Sequence, residues 1–182
     1  MAKTYTLAGT VVAGDVATAA AFNVVTADVN NLIVPPACRF SITTARNILT
    51  GTHTSITFNT DAREDYDTDG MLAATAASKI TVQTAGIYLC TASVSFSANN
   101  TGVRFTRIFR TRSGTEIAFA NSEITSTQAS VTDVSLAGMI ECNVSDTIEL
   151  GVFQNSGATL TTAAESQYQT TFLAVQWVGK TS

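Results

Sequence analysis

The chain has 182 residues, of which 45% are hydrophobic and 13% charged, against ~25% charged in ordinary soluble domains; that length suits one domain plus an appendage, able to bury roughly 70% of its unfolded surface. So little charge predicts that part of the surface is hidden in an assembly, and a net charge of −4 leaves no basic face for phosphates, which excludes nucleic acid as a partner. There is no basic region followed by an apolar core at the N-terminus and no run near the ~20 apolar residues of a membrane span, so the expectation is synthesis in a host cytoplasm with no membrane contact.

Residues 1–14 are weakly apolar and glycine-punctuated, which predicts an extended arm. From Asp15 the pattern turns helical: Asp15 or Thr18 offers a cap, and Phe22, Val25, Val29 and Leu32 recur at spacings of three, four and three, the seam of a heptad repeat. An isolated helix shorter than ~12 to 15 residues is marginal in water, so the seam must meet something. It either docks on its own domain or meets symmetry mates around a threefold axis, and we assign it to the oligomer interface. Pro35 and Pro36 end the helix. Residues 1–36 thus form an anchoring and trimerising piece, and residues 37–182 a head domain.

Beyond the prolines, short runs rich in Thr, Val and Ile alternate with turn residues. Strands are predicted at Arg39 to Thr44, Thr54 to Phe58, Lys79 to Gln83, Ile87 to Phe96, Val103 to Arg110, Thr115 to Asn121, Ser130 to Cys142, Thr147 to Asn155 and Thr170 to Val178, bounded as strands are by turn-forming residues. The clearest alternates strictly, with Tyr88, Cys90, Ala92, Val94 and Phe96 on one face and Thr91, Ser93, Ser95 and Ser97 on the other. Ser113 and Gly114 read as a two-residue hairpin turn, and Asn99, Asn100 and Gly102 mark another reversal. Such a series predicts an all-β sandwich or jelly roll. The last strand is apolar on both faces, Phe172, Ala174 and Val178 against Leu173, Val175 and Trp177. A sandwich strand has only one face toward its core, so the other must be covered by a second subunit. Leu173, Val175 and Trp177 are the residues assigned to that interface.

Little catalytic chemistry is written into the chain. Cys38, Cys90 and Cys142 are odd in number and lack zinc or redox spacing, so they read as buried hydrophobes in a reduced compartment. His53 is the sole histidine and lies in a Gly-Thr-His-Thr turn without a nucleophile elbow, which argues against Ser or Cys hydrolases. Asp61, Glu64, Asp65, Asp67 and Asp69 sit in one predicted loop, whereas a glycosidase pair flanks its substrate from two sides. Asp65, Asp67 and Asp69 followed by Gly70 match the first half of a Ca²⁺ loop, in which alternating carboxylates converge on a hard cation. The twelfth place is Ala76, so the competing reading is a solvated acidic loop or a partner for arginines. Arg104, Arg107, Arg110 and Arg112 cluster in one strand, whose pleat separates Arg107 from the other three; they are expected to be solvated or paired at an interface. No other cofactor is expected.

Ile56-Thr-Phe58, Tyr66-Asp67 and the run from Lys79 to Leu89, with Ala-Gly86-Ile-Tyr88 at its centre, resemble the globular head of complement component 1q and its tumour necrosis factor relatives. The Tyr66 to Met71 stretch is closest to phage-borne versions. Val103-Arg104, Gly138, Thr147 to Gln154 and Phe172 to Trp177 follow in the family's order, so the resemblance covers residues 54 to 179. It implies a ten-stranded jelly roll that trimerises through one sheet. Ala85 stands where the family usually has Pro, extra chain separates Tyr66 from Ile80, and no collagen-like repeat precedes the domain. Gly14-Asp15, Thr18-Ala19-Ala20, Asn23 and Asn31-Leu32 resemble the opening helix of phage tail and fibre proteins.

Together these readings lead to an expected homotrimer on a bacteriophage surface, a decoration or fibre component fastened to the head or tail and to other virion proteins by its N-terminus. The alternatives are a receptor-binding tip for a host glycan or protein and, more remotely, a depolymerase. No enzymatic activity is expected.

Overall fold

The computed structural model describes residues 19, 20, 23, 25, 26, 29, 33–58, 62–72, 78–126, 130–164 and 170–181, with the backbone alone at 62 and 63. The arm at 1–14 lies outside the described residues, as do Phe22 and Leu32 of the proposed seam. Val25, Val29 and Ile33 are helical and lie four residues apart, one stripe of a helix. They are 47%, 45% and 70% exposed, so at these positions the helix is not docked on its own domain.

The strand series is an all-β jelly-roll sandwich, as expected. One sheet has five strands in the order β4 (Ala62–Asp67), β1 (Ala37–Ile42), β12 (Phe172–Gly179), β6 (Gly86–Phe96) and β9 (Thr132–Cys142). The second runs β3 (Thr54–Ser55), β10 (Thr147–Gln154), β7 (Val103–Arg112) and β8 (Thr115–Thr125), with β5 (Ile80–Thr81) also on β10. A small ribbon pairs β2 (Asn47–Ile48) with β11 (Leu160–Thr161). The pairings are antiparallel. Ser113 and Gly114 both have positive φ, 49° and 80°, the geometry of the tight turn that matches strand twist between β7 and β8.

Register explains the core. In β6, Tyr88, Cys90, Ala92, Val94 and Phe96 all point inward, as their alternation predicts. Trp177, Val175 and Leu173 are paired directly with Tyr88, Cys90 and Ala92, and residues directly opposite share a face. All three are therefore sealed in the chain's own core, 7%, 1% and 0% exposed. This corrects their assignment to the oligomer interface: the strand does have two apolar faces, but its outward one is Phe172, Ala174 and Val178. Ile108, Ile148, Leu150 and Val152 of the second sheet close the core from the other side. Each such side chain contributes about 1.5–3 kcal/mol on burial.

A close approach at Gly86 fixes this arrangement. Gly86 has φ +154°, and a Cβ there would overlap the Trp177 ring and the Gly179 carbonyl, so only glycine lets Trp177 lie across β6. The Trp177 indole N–H then donates to the Ala85 carbonyl at 3.2 Å. The arginines divide as the pleat predicts, but not into solvent. Arg104 is fully buried, its guanidinium donating to the carbonyls of Thr101, Val103 and Asn99 at 3.0–3.1 Å. Arg110 and Arg112 bind the Glu141 carbonyl at the end of β9, joining the two sheets.

The acidic segment is a second correction. Ala62–Asp67 is not a loop but a strand on the edge of the first sheet, paired with β1. Its charges suit that place, because charged side chains protect an edge strand from pairing with another chain. Strict hydrophobic alternation is absent here, which is why the sequence pattern pointed to a loop.

Candidate functional site

Among the described residues, the outer face of the five-stranded sheet is the surface that pattern and register leave without a cover. Cross-strand pairing gives its composition row by row. Gln176, Leu89 and Met139 stand side by side across β12, β6 and β9; Ala174, Thr91 and Ala137 form the next row, and Phe172, Ser93 and Ser135 the one after. Ile87 and Val178 extend the patch at the other end. Leu89, Met139 and Val178 are 36%, 59% and 45% exposed. On these three strands the outward positions carry charge only at Asp133 and Glu141, near the two ends of β9. Around the apolar centre lie small hydroxyls, with Ser93 and Ser135 hydrogen-bonded to each other at 3.0 Å and the Ser95 hydroxyl donating to Asp133.

The edge of this face is organised by Arg39 on β1. Its guanidinium lies 4.6 Å from the centre of the Phe172 ring and is ion-paired with Asp65 of β4. Tyr66, opposite Arg39 in the ladder, is 43% exposed. The rim thus has a satisfied cation and the centre has none, the arrangement of a protein–protein contact.

The three aspartates proposed for Ca²⁺ are each drawn to a separate partner. Asp65 pairs with Arg39. Asp67 turns its carboxylate to the backbone N–H groups of Asp69, Met71 and Leu72 at 3.2, 3.0 and 3.0 Å. Asp69 is 2% exposed and accepts from the Thr84 hydroxyl at 2.8 Å. Among the described residues no group of three or more His, Cys, Asp or Glu converges to hold a metal ion. Asp65 thus bonds within the strand edge and Asp67 holds the turn that follows it, as short acidic side chains do when they bond to nearby backbone N–H groups.

Cys38, Cys90 and Cys142 are buried and free, as expected. Burial, then the charge of Asp146, pushes the Cys142 thiol up to about 12; burial also raises Cys38 and Cys90. Protonated thiols of this kind are poor nucleophiles.

Sequence reasoning missed Ile87, Leu89, Met139 and the outward side of β12. The signal was present in β6: its outward face starts with Ile87 and Leu89 before turning to Thr and Ser, an apolar interruption that marks the exposed patch.

No family model matches the chain. Over 100 residues, 54% of the chain, it is 30% identical to uncharacterized protein L688 of Acanthamoeba polyphaga mimivirus, of whose length it spans 42%. Among solved structures it is similar to murine APRIL, with a TM-score of 0.59 at 15% identity over 79% of this chain and 98% of that one. It is similar to Eiger, a tumour necrosis factor of S. frugiperda, at 0.57 and 10% over 81% and 94%. The globular domain of zebrafish complement 1qA gives 0.54 and 10% over 80% and 99%. At such identities the likeness is one of fold: the chain has the tumour necrosis factor and complement 1q type of jelly roll.

Proposed function

We propose that the chain is a homotrimeric, non-enzymatic component of a virus surface, in a bacteriophage a decoration or fibre protein, with the jelly roll presented outward from an anchoring N-terminal piece. The observation that carries this reading is the uncharged outer face centred on Leu89, Met139 and Val178. A contiguous exposed apolar patch rimmed by polar groups is the mark of an interaction surface. The resemblance to complement 1q heads implies that the cover is a second and third copy, and the exposed stripe of Val25, Val29 and Ile33 offers the same three chains a seam in the preceding helix, as in a short coiled coil. The mimivirus relative supports a viral setting, and the N-terminal likeness to phage tail and fibre proteins supports the anchor.

Light scattering on the purified chain at micromolar concentration is expected to return three times the monomer mass; a stable monomer would remove the basis of the proposal. Deletion of residues 1–14 is expected to leave a folded trimer that mass spectrometry no longer finds in purified particles. Normal incorporation of the truncated chain would move the attachment to the jelly roll.

A further inference from the structure

The outer face of the second sheet has a different character and holds a polar cleft of about 210 Å³ between β3, β10, β7 and the start of β8. Its floor is Gly151, in the middle of β10 and directly opposite Arg107 of β7. A glycine inside a strand weakens it and often marks a place where something approaches the backbone closely. A Cβ at this position would stand 3.1 Å from the Arg107 Nε and 3.2 Å from the Phe109 ring, filling the space.

Three polar groups are held around that floor. The Arg107 guanidinium lies over the Phe109 ring, 4.6 Å from its centre. It stands 3.6 Å from the Glu116 carboxylate, beyond a good hydrogen bond, so both keep bonding capacity for a third party. Among the described residues the buried Arg107 Nε has no acceptor. On the opposite wall the exposed His53 imidazole is laid against Phe153, ring centres 4.8 Å apart at 30°, with Phe105 edge-on at 6.0 Å. The ring is thereby fixed while its polar atoms remain available.

We infer that this cleft is a carbohydrate-binding site taking one neutral sugar ring of a glycan. A donor fork beside a carboxylate acceptor matches a pair of neighbouring hydroxyls, each able to donate and accept. The imidazole, backed by the Phe153 ring, offers a flat surface to the C–H face of a pyranose. Glu116 beside Arg107 disfavours a phosphate or carboxylate ligand, because a like charge so close opposes binding. The volume is below the roughly 300–1,000 Å³ of pockets for drug-sized ligands, so one ring is held and the rest of the chain stays in solvent. The inference needs neither the trimer nor the virion, since all of these groups lie on one subunit.

Saturation-transfer NMR on the full chain tests it, with millimolar methyl glycosides of neutral hexoses, 6-deoxyhexoses and N-acetylhexosamines, and methyl N-acetylneuraminide as the anionic comparison. Transfer to at least one neutral glycoside is expected, with affinity falling about tenfold in Arg107→Ala, the loss typical of a hydrogen bond to a charged group. Glu116 is 56% exposed on its side chain, so Glu116→Gln keeps the fold and is expected to weaken the same glycoside severalfold. No transfer from any neutral glycoside, transfer from the neuraminide alone, or affinities unchanged in both variants would each overturn the assignment.

Discussion

The two outer faces of the sandwich are built on the same pleat and spend their residues differently. The outward positions of β12, β6 and β9 hold Leu89, Met139, Val178, Phe172 and small hydroxyl residues, with their few charges at strand ends. Those of β7 and β10 hold Arg107 against Glu116 at 3.6 Å and Glu149, 5% exposed, against Lys79 at 3.3 Å. Scarce charge is therefore not spread evenly: one face has given it up almost entirely and the other concentrates it. A face almost without charge favours cover by another surface, whereas a face with fixed charges and aromatic rings is suited to water and to a polar ligand. Under the proposed function and the inferred sugar site, the difference would give assembly to one side and recognition to the other.

The sharpest way to break the comparison is to put the same substitution on the two sides of one sheet. Val175→Asp places a carboxylate in the sealed core and is expected to cost more than about 4 kcal/mol, abolishing the folded state by circular dichroism. Met139→Asp puts the charge on the outward side, where a free subunit tolerates it. Its spectrum and monomer fold should be unchanged while light scattering drops from trimer to monomer, because three like charges would be buried around one axis. A Met139→Asp protein that remained trimeric would place the interface elsewhere.

The core side of this sandwich was legible in the sequence, and the outer side was not, for a physical reason. Alternation in β6 pointed to the inward set directly, and the last strand was correctly read as apolar on both faces, with its core side taken for its outer one. Which side of β12 faces the core depends on its pairing with β6, a contact between residues 81 to 89 positions apart, from Leu173 opposite Ala92 to Trp177 opposite Tyr88. Periodicity within one strand carries no such information. The edge strand Ala62–Asp67 was hidden for the opposite reason, since its charges suppress the pattern that reveals strands. The sugar cleft was equally invisible, because His53, Arg107, Glu116 and Gly151 belong to four segments that only the second sheet brings together.

A smaller effect is expected where the two sheets are tied to each other. Burial alone would push the Asp146 carboxyl up, but Arg112, with its Nε and Nη2 at 2.9 and 2.8 Å, and the Asn143 N–H at 2.8 Å hold it below the ordinary carboxylate value. The ionised form is thus favoured by folding. Its contribution is complete above the unfolded pKa of about 3.9 and is lost as the pH falls through the lower folded value. Arg112→Ala is expected to cost about 1.5–3 kcal/mol near neutral pH and to flatten the loss of stability below about pH 4. Chemical denaturation across that range measures both, and an unaltered acid limb would mean that the pair does not hold the sheets together.

The smallest effect concerns the charged edge of the apolar face, where Asp67 follows Asp65 and Tyr66 at the end of β4. Its carboxylate receives three backbone N–H groups of the turn that leads to Met71, and Met71 is fully buried. The side chain thus fixes the point at which the chain leaves the edge strand and enters the core. Asp67→Ala strands those donors in a partly buried turn and is expected to cost about 1–2 kcal/mol, the range for losing a capping side chain. Asp67→Asn keeps an acceptor oxygen and should recover most of that loss, since the bond and not the charge does the holding. A cation would have to compete with the three N–H groups for the same oxygens, so chelator should leave the melting temperature of the unaltered chain where it is. If instead calcium raised it, and Asp67→Asn abolished the rise, the turn would have to open toward the ion, and the edge of the apolar face would be a metal-dependent element and not a static rim.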